Sequence, residues 1–238
     1  MIPNISVSIS ALPKSGKTHL ALTFPDPIRV FSFDGGAEYV RGRFPEKEID
    51  IVTFRMPIIE SSDDSSWAPP IWDAFYKDYK EAVYSGQYNT VVIDTATTAH
   101  TILQQSVFEW LKDEAALKGK EKKKMAVNEY HTRNLLMKAL FDLPQQKGIN
   151  LVTTQYLGEK WLQPAGGGMA QPTGETKVQG WAQTEGFADI NLEMESKMKA
   201  GKAIKVTTVV STRFDQATVG QKWENTSFDE IVALMFED

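Results

Sequence analysis

Ile5-Ser6-Val7-Ser8-Ile9 alternates apolar and polar side chains, the period of a strand. Residues 18–23 follow as a short helix, stopped by Pro25 and Pro27. Ile28 to Phe33 reads as a second strand ending at Asp34-Gly35-Gly36, and Ile51 to Phe54 as a shorter third. Residues 59–70, rich in Ser, Asp and Pro, read as a loop, and 71–85 as a helix whose aromatics Trp72, Phe75, Tyr76 and Tyr79 pack inward. Thr90 to Asp94 is almost entirely apolar, which is typical of a parallel strand covered on both faces. Helical sequence runs from Thr97 to Lys118 and again from Lys124 to Gln146, interrupted at Gly119. Asn150 to Gln155 is another buried strand. Residues 158–186 hold seven glycines and two prolines and read as a long flexible loop, a feature that in a compact domain usually carries function. Two late strands, 188–195 and 203–211, and a final helix over 227–236 close the chain. Strands alternating with helices imply an α/β fold with a mostly parallel central sheet, right-handed crossovers and flanking helices. We find no internal repeat, and the pattern predicts one domain over residues 1–238.

Composition narrows the chemistry. The absence of cysteine excludes disulfides, thiolate metal sites and cysteine nucleophiles. No apolar run approaches the roughly 20 residues of a membrane helix. The first residues lack a basic segment and an apolar signal core, so a cytoplasmic protein is expected. The net charge of −5 argues against a protein that grips duplex DNA constantly. Local basic patches remain at 118–124, with five lysines, and 197–205, with four. His19, His100 and His131 show no metal-ligand spacing.

The first strand runs into Ala11-Leu12-Pro13-Lys14-Ser15-Gly16-Lys17-Thr18, followed by His19. Apart from alanine at its first position, this is the P-loop pattern G-x-x-x-x-G-K-S/T in its proper context between strand and helix. Such a loop turns backbone N–H groups toward phosphate oxygens, and the helix that follows adds its positive end. Lys17 is then expected to reach the β- and γ-phosphates of ATP, and Thr18 to ligate Mg²⁺. Alanine at position 11 is tolerable where that residue needs no positive φ. Asp94 ends its strand as a carboxylate suited to the Mg²⁺ shell; the alternative is a helix cap. Asp34 and Glu38 are the candidates to orient the attacking water, or are ordinary turn acids. Gln155 ends the strand Leu151 to Thr154, where its amide is expected to sense the γ-phosphate and signal the following loop, or is an ordinary strand-end polar residue.

The P-loop, Phe31 to Gly36, Val91 to Thr95 and Leu151 to Gln155 come in the order of RecA-like ATPases, and the chain resembles them over nearly its whole length. It looks most like the small phage-encoded RecA/RadA-like single-strand annealing proteins, including at its closing stretch, Ser211 to Phe214 and Trp223 to Phe228. That resemblance implies an ATPase that binds single-stranded DNA and works in recombination or replication beside phage or host proteins. It implies homo-oligomers with ATP at subunit interfaces. By position, Gln155 resembles the glutamine that links ATP to a DNA-binding loop, and residues 158–186 resemble that loop. Lys205 or Arg213 is placed to act as a finger in a neighbour's site. In RecA the catalytic glutamate lies two residues after the aspartate of the second strand, where this chain has Gly36, so slow hydrolysis is expected unless Asp34 or Glu38 substitutes. RecA's separate polymerisation segment and C-terminal domain have no counterpart in these residues, which argues against filaments built by RecA's own route.

Single strands are held by positive grooves and aromatic platforms. Lys160, Trp161, Lys177 and Trp181 are the candidates, unless both tryptophans tuck into the core. Two other classes compete: a small-molecule kinase, which needs an arginine-bearing lid that 158–186 lacks, and an ATP-dependent switch or loader acting on a protein partner.

Overall fold

The computed structural model describes residues 4–58, 66–163 and 168–236. One nine-stranded sheet organises them. Its parallel part has the order β3-β2-β4-β5-β1-β7, made of Ile49–Thr53, Ile28–Ser32, Thr90–Asp94, Asn150–Leu162, Ser6–Ala11 and Ile190–Lys199. β8 (Lys202–Thr212) and β9 (Lys222–Glu224) extend the β7 edge antiparallel, and β6 (Gln171–Val178) folds back on the outer half of β5.

The residues explain the layers. Val7, Ile9 and Ala11 of β1 face one side, with Val30, Val92, Val152, Ile190 and Leu192. There they pack against α1 (Lys17–Ala21), α2 (Gly36–Arg41) and α7 (Phe228–Phe236). Phe31, Val91, Ile93 and Leu151 face the other side. That side is covered by α3 (Ala68–Ser85), α4 (Ala96–Leu117) and α5 (Tyr130–Lys147), with Phe75 and Tyr79 of α3 against Phe31. The alternation of β1 does not leave its serines in water. Ser8 donates to Gln155 Oε1 at 2.9 Å and Ser10 to the Leu192 carbonyl at 3.2 Å, so both hydroxyls are satisfied inside the sheet's second face.

Several boundaries move. α3 begins at Ala68, with prolines in its first turn where no intrahelical donor is lost. α5 begins at Tyr130 rather than Lys124, after a 3₁₀ turn over Val127–Glu129. α2, β9 and the short α6 (Thr184–Phe187) were not foreseen. Most consequentially, 158–186 is not a structureless loop. β5 continues to Leu162 and pairs antiparallel with β6, Leu157 opposite Val178 and Leu162 opposite Gln171, with an irregularity between Glu159 and Trp161. Residues 59–65 of the expected earlier loop and 164–167 of this one lie outside the described residues. Among the described residues no helix is long and apolar enough to cross a membrane.

Candidate functional site: the phosphate loop and its acids

β1 ends at Ala11, paired in register with Tyr156 of β5 and Met194 of β7. The alanine is thus a strand residue; the positive φ angles of the loop fall at Lys14 (64°) and Gly16 (100°). Only at Gly16 does the loop use glycine's freedom. Among the described residues, no hydrogen bond accepts from the backbone amides of Lys14 to Thr18. A curl of unpaired N–H groups where a helix starts is a cradle for phosphate oxygens.

Lys17 is 6 % exposed. Its Nζ donates to the carbonyls of Ala11 and Leu12, both at 3.3 Å, and lies 4.6 Å from the centre of the Tyr156 ring. Burial lowers its pKa, against the pull of Asp94 and Asp34. Thr18 Oγ1 donates to Asp94 Oδ2 at 2.9 Å, and Thr154 donates to the other oxygen. Asp94 is fully buried. Burial first, and then the charge of Asp34, raise its pKa to about 6. A buried carboxylate facing a second acid is a site that a cation stabilises. Among the described residues no three His, Cys, Asp or Glu side chains cluster as metal ligands. Thr18 and Asp94 are the side chains here that could hold a Mg²⁺ ion whose shell is otherwise water and phosphate.

Asp34 closes the site. Its Oδ1 accepts from the Gly36 amide at 2.8 Å and its Oδ2 from the Tyr156 hydroxyl at 2.6 Å. A Cβ at Gly36 would lie 3.0 Å from Asp34 Oδ1, 3.5 Å from Thr18 Oγ1 and 3.6 Å from Asp94 Oδ2. Such a Cβ would press on Asp34 Oδ1 and stand in ordinary contact with the other two, so the glycine leaves room for the Asp34 carboxylate. Glu38 is not its equal. It accepts from Ser32 at 3.0 Å and from Thr53, which ties α2 to the ends of β2 and β3 and turns the carboxylate away from the loop. Hydrogen bonds lower its pKa despite burial.

Gln155 is also corrected. Successive strand residues face opposite sides. Thr154 and Tyr156 face the loop, while Gln155 points through the other face, accepting from Ser8 and donating to Thr184 Oγ1 at 3.1 Å. The residue that meets the phosphate site from β5 is Tyr156, which sequence reasoning missed. The same cavity, 600 Å³, is lined by Asp34, Tyr39, Arg43, Tyr156 and Lys205 beside the loop. Tyr39 stands 88 % exposed at its rim. His19 joins it, its ring 4.9 Å from Phe44 and its pKa lowered by burial and Arg43. Lys205 reaches this chain's own loop: Nζ donates to the Lys14 carbonyl at 3.2 Å and to Ser196 Oγ at 2.5 Å. Arg213 is at the opposite end of the sheet, on Asp189 at 3.2 Å and the Gly186 carbonyl at 2.7 Å, where it cannot reach this chain's phosphate site.

The DNA candidates separate. Trp161 is 52 % exposed on β5. Trp181 is 3 % exposed, stacked on Phe187 at 5.1 Å with its Nε1 donating to Asn134, so it offers no face to a base. Lys160 pairs with Glu175 at 2.7 Å; among the described residues Lys177 forms no ion pair.

The AAA domain family matches residues 3–227. No curated protein matches the chain. Among solved structures, that of a KaiC-like protein from the hyperthermophilic archaeon Pyrococcus horikoshii OT3 superposes with a TM-score of 0.53 at 12 % identity, covering 93 % of this chain and 85 % of that one. At that identity the likeness shows the fold, an α/β core of the RecA-like P-loop type with a mostly parallel sheet flanked by helices.

Proposed function

The chain belongs to the AAA domain family, and from that premise we propose that it binds and hydrolyses ATP at residues Ala11 to Thr18. We propose further that nucleotide state controls a grip on single-stranded DNA by the β5–β6 hairpin, in a phage-type annealing, recombination or replication role. The observation that carries the reading is the loop of unpaired amides with Thr18 bonded to a buried Asp94 at 2.9 Å.

The roles follow from placement. The amides and Lys17 hold the β- and γ-phosphates, with Lys14, His19 and Lys205 adding positive charge at the rim. A Mg²⁺ ion bound there would supply charge to offset that of the phosphates. Thr18 and Asp94 hold its shell, and Asp34 orients water. On the hairpin, Trp161 supplies a stacking face and Lys177 a phosphate contact; Lys160, already paired, adds less. Arg213 is half-exposed on the far end of the sheet, which suits a finger reaching an adjacent copy in a homo-oligomer. The phage-type role rests on the resemblance of the closing stretch.

A switch acting on a protein partner is the second reading. It is favoured by Leu162 and Val178, exposed apolar side chains on the same hairpin.

The test is fluorescence anisotropy of a labelled single-stranded oligonucleotide at low salt, with and without ATP-Mg²⁺. Nucleotide-dependent binding is expected in the wild type. Lys17→Ala should weaken ATP binding by about 10- to 100-fold, the worth of a charged hydrogen bond, and abolish the nucleotide dependence. Binding of ATP without any DNA signal would favour the protein-partner reading.

A further inference from the structure

Resting on the hydrolytic reading above, we infer that Tyr156 is a positioning residue for the chemical step, holding Lys17 with its ring and Asp34 with its hydroxyl. The two contacts come from one side chain and reach opposite walls of the phosphate cavity. Lys17 Nζ stands 4.6 Å from the ring centre, and the hydroxyl donates to Asp34 Oδ2 at 2.6 Å. β5 and β2 are separated in the sheet by β4, so the phenol spans the end of the Asp94 strand to make the second bond.

Asp34 needs such a partner. It follows β2 in a turn that includes the left-handed Gly35 (φ 76°), and a free carboxylate there would sample several rotamers. Its Oδ1 is fixed by the Gly36 amide and its Oδ2 by Tyr156. A carboxylate has about four lone-pair directions, so the two bonds set its plane and leave others for water.

In the step itself, a water oxygen bonds to the γ-phosphorus. The bond from that phosphorus to the β–γ bridging oxygen breaks, and its electron pair leaves with ADP. The water proton passes to Asp34 and then to solvent. Tyr156 touches none of the reacting atoms. Its backbone is also anchored: the amide donates to Thr97 Oγ1 at 3.0 Å and the carbonyl accepts from Gln179 at 2.8 Å, at the root of the hairpin. The side chain therefore projects from a fixed point.

The experiment is a double-mutant cycle on Tyr156→Phe and Asp34→Asn. Single-turnover ATP hydrolysis is measured together with the equilibrium affinity of a fluorescent ATP analogue. Phenylalanine keeps the ring over Lys17 and removes only the hydroxyl. Tyr156→Phe is expected to lower the hydrolysis rate about 10-fold, as displacing a catalytic group by a fraction of an ångström does. Its analogue affinity should stay within about twofold of the wild type, because the ring that faces Lys17 is retained. Asp34→Asn is expected to lose about 100-fold, the low end of general-base contributions, and the double variant should be no slower than Asp34→Asn alone. An unchanged rate in Tyr156→Phe, or losses that multiply in the double variant, overturns this inference while leaving nucleotide binding intact. A wild-type chain that fails to bind the analogue overturns the hydrolytic reading and this inference with it. Thermal melting of each variant confirms that the comparison is between folded proteins.

Discussion

At the phosphate loop, Lys17 and Asp94 are buried, and the acids meet partners from other elements: Thr18 of α1 and Thr154 of β5 on Asp94, Tyr156 of β5 on Asp34. On the β5–β6 hairpin, which grows from the same β5, Trp161 is half-exposed and the Lys160 ammonium pairs with Glu175 on the facing strand. The first region is defined by the parallel sheet. Register between β1, β4 and β5 sets the distances, and burial makes each interaction count. The second is a two-stranded projection whose side chains answer mostly to solvent and to whatever docks on it. Chemistry that needs fixed geometry sits in the first; recognition that tolerates variety suits the second.

The two tryptophans near the hairpin make the contrast sharpest. Trp181→Ala should cost about 3–5 kcal/mol of stability in denaturant unfolding, since it removes a buried ring packed on Phe141 and Phe187. A loss below about 1 kcal/mol, the level of an exposed site, would mean that Trp181 belongs to the hairpin's solvent-facing class.

Asp94 tests the loop side through pH. Its folded pKa, about 6, lies above its ordinary 3.8, so between those values the native state holds a proton that the unfolded chain has released. Its contribution to stability is therefore most favourable below pH 3.8 and falls as pH rises to about 6. In metal-free buffer at pH 7, Asp94→Asn should raise stability by about 3 kcal/mol, flatten that pH dependence, and remove the response to Mg²⁺. Thermal melts from pH 4 to 7 check it.

Trp161→Ala should leave stability within about 0.5 kcal/mol, as exposed substitutions do. It should weaken single-stranded DNA binding about 10-fold if a base stacks there, read by the same anisotropy assay. Unchanged DNA affinity would turn attention to a protein docking on the hairpin. The smallest expected effect is at Lys14, a non-glycine residue with φ of 64°. Lys14→Gly should relieve the strain but add unfolded-state entropy, a net gain of about 0.5 kcal/mol in thermal melts.

Much of the loop side was readable in the chain. Gly16-Lys17-Thr18 after an alternating strand, and the apolar run ending at Asp94, name their own places because both motifs depend on local order: strand, turn, helix, and strand-end acid. The closing hairpin was harder. Glycines at 166–168, 174 and 180 suggested a loop, yet Leu157 and Val178 pair because antiparallel strands need only a connection between them, not uninterrupted strand formers. Whether Trp181 was a stacking platform or a core residue stayed open in the sequence because nothing local shows that Phe141, forty residues earlier, would meet it.

The chain by itself determined that a P-loop pattern ending in Gly16-Lys17-Thr18 follows a strand, that Asp94 ends an apolar strand, and that the fold is a covered, mostly parallel sheet. Tertiary structure alone decided which neighbours complete the site. In β5, Gln155 and Tyr156 differ by one residue, and one residue of strand is a half-turn of side-chain direction. Period alone separates the two faces but does not say which of them the loop occupies. That depends on which side of the sheet α1 crosses and on the strand order that sets β5 between β1 and β4, and only the folded chain brings those together.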